Sequence, residues 1–395
     1  MKKRQKTDII FLLLIIVFSF GVYLYNDKNP VTLSLINSES LGYAKAEVIE
    51  VVEENAREDE TTKGRYYGVQ TLRARILQGD FQGKEVLIDN YLSTTHNVRL
   101  HSGQAFIACI DNPLEAETLI TVYSYYRAPV IFMFGGIMIG IMVLIGGGKG
   151  LRSAVSLLFT MYTILGFMLP MIFNGYSPIW VCIVTVVITA AVSLFLLNGN
   201  HKKTWVATIA TGMGVILSGI IFQVIASLVH VSGFNTDQAE ALILISQNTG
   251  LQISQVLFAG ILISSLGAVM DVGLSIASSL HEITCHKADI TPRELFQSGL
   301  RVGKDMIGTM CNTLILAFTG SSLTTLLMLK AYGVEYAQLM NSDFIAMEIA
   351  QGISGTIAII MTVPIGALLS AVLYSRRRSP DANWFVNNFR KCHFL

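Results

Sequence analysis

The sequence predicts a polytopic α-helical membrane protein with about eight transmembrane helices and a small β-barrel-like domain of the OB or SH3-like kind. Apolar stretches long enough to cross about 30 Å of hydrocarbon recur along the chain. Only 14% of the residues are charged, well below the share in soluble domains, and the charges concentrate in residues 27–128 and a few short loops. The basic residues of those loops fall on one predicted side of the membrane.

Residues 1–26 are predicted to form an N-terminal signal-anchor helix. A basic segment, MKKRQKTD, precedes the apolar run 9–25. The small-x-small pattern at Ser19–Gly21 has the form of a cleavage site, but Val22–Tyr25 continue the apolar run beyond it. An uncleaved anchor is therefore favoured over cleavage after Gly21.

Residues 27–128 are predicted to form an extracytoplasmic β domain. Period-two alternation indicates a half-buried strand, with Gln70, Leu72, Ala74 and Ile76 on one face and Thr71, Arg73 and Arg75 on the other. Similar runs lie at 44–52, 85–89, 104–111 and 119–126. Five short strands in this length predict a small barrel. The acidic run within 53–60 is predicted to lie in a solvated loop.

Residues 129–375 are predicted to form a seven-helix transmembrane domain. Backbone groups in lipid must bond internally, so apolar segments of this length are expected to be helices. Together with the anchor, the predicted spans are 9–25, 129–147, 152–173, 178–198, 205–231, 253–280, 305–329 and 349–374.

The charges of the loops give the predicted topology. With the basic N-terminus inside, eight crossings place the basic clusters within 149–152, 202–203, 287–304 and 376–391 in the cytoplasm. The loops then placed outside, at 174–177, 232–252 and 330–348, contain a single Lys or Arg, Lys330. Both termini, including the basic tail 376–395, are therefore predicted to be cytoplasmic and residues 27–128 extracytoplasmic.

Asp271 is the one carboxylate well inside a predicted span. Placing an ionised side chain at this depth costs at least about 2.5–3.5 kcal/mol, so a partner, water or protonation must offset it. Ser264 and Ser275 share its helical face, together with Gly267 and Ser278. This small, polar face is predicted to point into the bundle.

The next span carries a matching face with Asp305, Thr309 and Asn312. Asp271 lies nine residues before the inner end of its predicted span and Asn312 seven after the start of its own, so their depths agree within a turn. A contact between Asp271 and Asn312 is therefore geometrically allowed. It could form a proton or cation site, or it could only hold two helices together.

The predicted cytoplasmic loop 281–304 contains a helix-start signal, with Thr291 at the N-cap, Pro292 at N1 and Glu294 at N3. A short helix that lies in the membrane interface or docks a cytoplasmic partner is expected after it. His281 and His286 are five residues apart and do not fit the zinc hydrolase motif. We expect no cofactor, no metal, no nucleic-acid partner and no enzymatic activity.

Two blocks, GAVMDVGLSIASSLHEI and TPRELFQSGLRVGKDMIGTMCNTLILAFTGSSL, together with the earlier GGGKGLRSAVSLLFT, resemble the YibE/YibF-like family of bacterial membrane proteins. The resemblance spans roughly residues 40–375. It implies a bacterial plasma-membrane location and pairing with a related membrane protein, and a homo-oligomer is the alternative. Asp271, Arg301, Asp305 and Asn312 lie in the matching blocks, but the family supplies no catalytic residues.

Two functions follow as hypotheses. The first is a transporter or permease of unknown substrate, with Asp271 as a proton or cation site. The second is a membrane scaffold or signalling protein that binds an envelope partner through its β domain.

Overall fold

The computed structural model describes residues 2–30, 40–113, 117–230, 239–287 and 289–375. The predicted basic tail 376–395 lies outside the described residues. Contacts divide the chain into two compact units, one of residues 33–141 and one of residues 1–32 together with 142–395.

The first unit contains one antiparallel sheet with the strand order β3-β2-β1-β4-β5. Its strands are β1 (Leu41–Glu58), β2 (Tyr66–Ile76), β3 (Glu85–Leu92), β4 (Ala105–Asp111) and β5 (Leu119–Tyr125). The register of β1 against β2 shifts between Val48 and Glu50 and again between Val51 and Glu53. Such bulges bend a strand, and the sheet curls until its edge strands β3 and β5 approach each other.

The alternation predicted for β2 is confirmed. Gln70, Leu72, Ala74 and Ile76 are buried, whereas Arg73 and Arg75 are exposed. The buried faces of the strands form one apolar core with Val98 and Leu100, which lie between β3 and β4. Its largest fully buried side chains are Phe106, Leu72, Ile76, Ile88 and Leu100.

The prediction that the acidic run 53–60 lies in a loop is wrong for its first six residues. Strand β1 continues to Glu58 and pairs with β2 as far as Tyr66. Glu54 accepts a 2.7 Å hydrogen bond from Arg99 Nε, which offsets its charge. A charged, exposed hairpin looks like a loop in the sequence, because local residues do not show that the segment pairs with β2.

Two amides inside this core hold the 97–100 segment against the sheet. Asn90 Nδ2 donates to Val98 O at 2.8 Å and to Gln70 Oε1 at 3.2 Å. Gln70 Oε1 also accepts from Leu100 N at 3.1 Å, and Gln70 Nε2 donates to Leu100 O at 3.2 Å. Gln70 and Asn90 are 0% and 2% exposed, so these bonds satisfy groups that water cannot reach.

The rest of the described chain is helical. Its elements are α1 (Lys2–Lys28), α2 (Ala128–Tyr162), a π-helix (Thr163–Met168), α3 (Leu169–Phe173), α4 (Pro178–Asn198), α5 (Lys202–Leu228), α6 (Ala239–Thr249), α7 (Ile253–His286), α8 (Pro292–Ser321), α9 (Leu323–Ala331), α10 (Tyr336–Met340) and α11 (Asp343–Ser375). The predicted start of α8 is confirmed, because Thr291 and Glu294 form a complete capping box with Pro292 in the first turn.

Helix α7 lies at the centre of the helical unit and packs against α4, α5, α8 and α11. Small residues permit this packing. A Cβ at Gly273 would lie 3.1 Å from Thr211 Oγ1, and a Cβ at Gly355 would lie 2.7 Å from Leu314 Cδ2. Close approach through small residues is how helices associate where water supplies no hydrophobic driving force.

Among the described residues, five helical segments are long and apolar enough to cross a membrane. They are 128–173, 178–198, 202–228, 253–286 and 343–374. The bent pair α8 and α9 makes a sixth if it is counted as one span. The chain is therefore a helical membrane protein with a curled antiparallel sheet.

The predicted division between the spans at 129–147 and 152–173 matches an interruption of the helical run at Gly147, which has non-helical dihedral angles (φ 54°, ψ −134°). Several other predicted boundaries are wrong. The span at 305–329 instead bends by 55° between α8 and α9. The short helix expected after Thr291 is the beginning of α8 itself. The loops that were predicted to lie outside contain α6 and α10, and α11 begins at Asp343 rather than 349.

Candidate functional site

The face of α7 that carries Asp271 is not packed in the interior of this chain. Ser264 and Asp271 are exposed and Ser275 is half-buried, whereas Val269, Val272 and Ile276 are fully or almost fully buried. The prediction that the polar face points into the bundle is therefore wrong. The opposite face also carries small residues such as Gly273 and Ala277, and it combines them with apolar side chains that pack more favourably.

Helix α8 shows the same division. Asp305, Thr309 and Asn312 are exposed, whereas Gly303 and Leu314, on the other side of the helix, are buried. In the described part of the chain no hydrogen bond joins Asp271 to Asn312. Ser264 and Thr309 donate instead to carbonyls of their own helices, Ile261 O and Met306 O, both at 3.0 Å.

A hydroxyl-lined cavity of about 300 Å³ adjoins the Asp271 face. It lies between α2, α4 and α7. Gly267, which shares the Asp271 face, lines it, and Asp271 follows Gly267 by one turn, about 6 Å along the axis. The polar residues that line the cavity are Ser153, Ser156, Thr160, Thr185, Thr189 and Ser193.

The hydroxyl protons of this cavity are largely engaged. Ser156 Oγ donates to Ser193 Oγ at 2.6 Å, a bond that joins α2 to α4. Thr160, Thr185 and Thr189 donate to carbonyls one turn earlier at 2.7–3.0 Å, and Ser153 donates to Lys149 O at 3.1 Å. The oxygen lone pairs are what remains for a guest, since a hydroxyl has one donor and two acceptor sites. The cavity is therefore suited to a cation or to a hydrogen-bond donor rather than to an anion.

Sequence reasoning missed these six residues, although a signal for them exists. Ser153, Ser156 and Thr160 are spaced by three and four residues, and Thr185, Thr189 and Ser193 by four. Each set therefore occupies one helical face. Hydroxyl residues are common in apolar helices, where they bond to the backbone one turn earlier, so the pattern alone did not distinguish a cavity from ordinary spans.

In the described residues no three His, Cys, Asp or Glu side chains are grouped as metal ligands. His281 Nε2 and Cys285 Sγ are 4.0 Å apart near the end of α7, as their spacing of four residues requires.

Comparison with known proteins identifies the helical part of the chain. The profile of the YibE/F-like protein family matches residues 134–376, which make up more than half of the 395 residues. The sheet, at 41–125, lies outside the matched stretch. Neither the curated proteins nor the solved structures contain a significant match. The matched stretch includes Asp271, the hydroxyl-lined cavity and α8, and the chain belongs to the YibE/F-like family.

Proposed function

We propose that this protein is a plasma-membrane transporter in which the hydroxyl-lined cavity and Asp271 form part of a path for a proton or a cation. One observation carries the proposal: six hydroxyl groups line a cavity between helices that are otherwise apolar. Their free lone pairs can replace part of the hydration shell of a cation or hold a chain of water molecules. A carboxyl group one turn away adds the charge or the proton-binding group that such paths use.

The proposed arrangement has eight crossings. Helix α1 adds one to the five apolar segments, the bent pair α8 and α9 adds another, and the interruption at Gly147 divides 128–173 into two. With both termini in the cytoplasm, the basic loops lie inside and the sheet lies outside the cell, as the charge rule requires. We propose that the sheet closes as an OB-like barrel, because its strand order and the approach of β3 to β5 match that topology.

The exposed positions of Asp271, Asp305 and Asn312 support a partner in the membrane. A carboxylate at the centre of a lipid-facing helix costs about 2.5–3.5 kcal/mol or more unless protein or water covers it. We propose that a second copy of this chain or a related membrane protein covers this face and encloses the path. The proposed role involves no catalysis, no cofactor and no nucleic acid.

Flux measurements with the reconstituted protein test the proposal. Vesicles that contain a pH-sensitive dye report proton movement, and sodium and potassium gradients test the two commonest cations. We expect Asp271→Asn to abolish ion-dependent flux. Glu282→Gln is the matched control, because Glu282 is an exposed carboxylate on the same helix. Flux that Asp271→Asn leaves unchanged would remove the proposal.

Thiol labelling distinguishes a water-filled path from a packed helix interface. Single cysteines at Ser264, Asp271 and Ser275 should react with a membrane-impermeant reagent if the face is wet. Val269, which is 0% exposed on the opposite face of α7, gives the control position. Equally slow reaction at all four positions would favour a structural role for Asp271.

A second function is supported by the exposed side chains of the sheet. Leu87 and Tyr91 of β3 are each 65% exposed, an unusual exposure for large side chains on one strand. The sheet could therefore bind an envelope partner, as a scaffold or signalling protein would. Recovery of crosslinked envelope proteins should then fall after Leu87→Ser with Tyr91→Ser, and unchanged recovery would count against this function.

A further inference from the structure

A second cavity lies between α8, α9 and α11, in the part of the helical unit where α8 and α9 bend by 55°. It has a volume of about 450 Å³, within the usual range of sites for small organic molecules. Its walls are mostly apolar and include the aromatic rings of Phe318 and Phe344. Of the side chains that line it, only Glu348 is ionisable.

Glu348 enters this cavity because α11 begins earlier than the sequence indicates. Helix α11 starts at Asp343, so Glu348 is its sixth residue and lies in the second turn, rather than at the end of an outer loop. The residue is half-buried, and its Oε2 atom is fully buried. This position could not be read from the sequence, because the residues just before the apolar run at 349 look alike whether they form a loop or the first turns of a helix.

Three polar atoms of the cavity lack partners. Glu348 Oε2, Ser322 Oγ and Thr356 Oγ1 are buried and accept or donate no hydrogen bond within the described residues. Ser322 is 6% exposed and stands at the bend, between the last residue of α8 and the first of α9. The nearby Thr319 differs, because its hydroxyl donates to Ile315 O at 2.9 Å. Buried polar groups are nearly always paired, so three unpaired groups around one cavity indicate a ligand that pairs them.

The chemistry of the walls restricts the ligand. One carboxylate and two hydroxyls can bind the three N–H donors of an ammonium group. The apolar walls and two aromatic rings suit a hydrocarbon body and a nearby positive charge. A calcium ion would need six to eight oxygen ligands, typically with several carboxylates, and this cavity offers a single carboxylate.

We propose that this cavity binds small apolar amines, with the ammonium group held by Glu348, Ser322 and Thr356 and the hydrocarbon body against Phe318 and Phe344. The site is separate from the cavity between α2, α4 and α7. The amine site is tested by equilibrium binding and does not require flux. If the amine does not bind, the proposed path through Asp271 is unaffected. If flux does not depend on Asp271, the proposed amine site is likewise unaffected.

The test uses the purified full-length protein in detergent and two probes of similar shape. 2-Phenylethylamine carries an ammonium group, whereas 2-phenylethanol has the same ring and no charge. We expect saturable binding of the amine by calorimetry and at least about tenfold weaker binding of the alcohol. Glu348→Gln should weaken amine binding by about tenfold or more and leave alcohol binding unchanged. Glu335→Gln, an exposed carboxylate that does not line the cavity, is the control.

A second variant tests the site independently, in case Glu348→Gln does not fold. Gly352 lines the cavity, and a Cβ at this position would meet no atom within 4 Å. Gly352→Leu should therefore fold and exclude the amine by filling the space. Absence of amine binding to the unaltered protein would overturn the proposal. The proposal would also be overturned if the amine and the alcohol bound equally well and neither variant changed their binding. The cavity would then be an apolar lipid pocket.

Discussion

Gly299 of α8 lies against Ala367 of α11, and a Cβ at position 299 would stand 2.6 Å from the Ala367 Cβ. The same added atom would lie 2.9 Å from Leu280 Cδ1 of α7. The three helices therefore meet at a point where only a hydrogen atom fits. This contact holds α8 in place while its polar face, with Asp305, remains exposed.

Gly299→Ala should destabilise the helical unit. Overpacking of this kind typically costs about 1–3 kcal/mol, and the better helix propensity of alanine recovers about 1 kcal/mol at most. Thermal unfolding of the protein in detergent measures the change. Gly308→Ala is the control on the same helix, because a Cβ there would meet nothing within 4 Å. Gly308→Ala should leave the stability unchanged or slightly higher. Equal losses of stability in both variants would show that the close contact at Gly299 does not cause the destabilisation.

Gly147→Ala should destabilise the protein through the backbone rather than through packing. Gly147 has φ 54° and ψ −134°, a conformation that residues with a Cβ rarely adopt, and a Cβ there would meet no atom within 4 Å. The expected cost is about 1–3 kcal/mol. Gly148→Ala is the neighbouring control, since Gly148 has no positive φ and an equally open environment. If both variants unfold at the same temperature as the unaltered protein, a side chain at position 147 does not strain the backbone, which would contradict this prediction.

Asn90→Ala should destabilise the sheet by about 1–3 kcal/mol, because it leaves Val98 O without its buried donor and removes a bond to Gln70. The loss should appear in the unfolding transition of the β signal in circular dichroism. Asn55→Ala removes an exposed amide from β1 of the same sheet and should change stability by less than about 0.5 kcal/mol. A similar, small effect at both positions would contradict the role of the buried amide pair.

The turn after β1 should lose stability in acid. The backbone N–H and the hydroxyl of Thr61 donate to Asp59 Oδ1 at 2.9 and 2.7 Å and hold the pKa of this carboxyl below its ordinary value of 3.8. Because the folded-state pKa is the lower one, the ionised group favours folding above the ordinary pKa. This contribution is lost as the pH falls through the folded-state value.

Asp59→Asn therefore tests this linkage. The difference in melting temperature between Asp59→Asn and the unaltered protein should be largest at neutral pH and shrink as the pH falls below 3.8. A difference that is independent of pH would mean that Thr61 does not stabilise the ionised carboxyl.

Local patterns in the sequence predicted those features that depend on neighbouring residues alone. The inward face of β2 around Leu72 follows from strict alternation, and the start of α8 at Pro292 follows from the capping residues Thr291 and Glu294. The limits of α4, at Pro178 and Asn198, match the predicted span because a proline and a glycine bound a mostly apolar run without charged residues. The polar residues around Asp271 were also recognised as a set on one helical face.

Which groups face one another was decided by the tertiary structure. Both sides of α7 carry small residues, so periodicity could not show that Val269 and Ile276 would be buried and Asp271 exposed. The cavity around Glu348 depends on the bend at Ser322 and on where α11 begins, and both result from packing between helices distant in sequence. The sequence by itself determined a helical membrane protein with a β domain, because apolar length and charge are properties of segments. Burial, cavities and unpaired polar atoms are properties of neighbours in space, so only the folded chain specifies them.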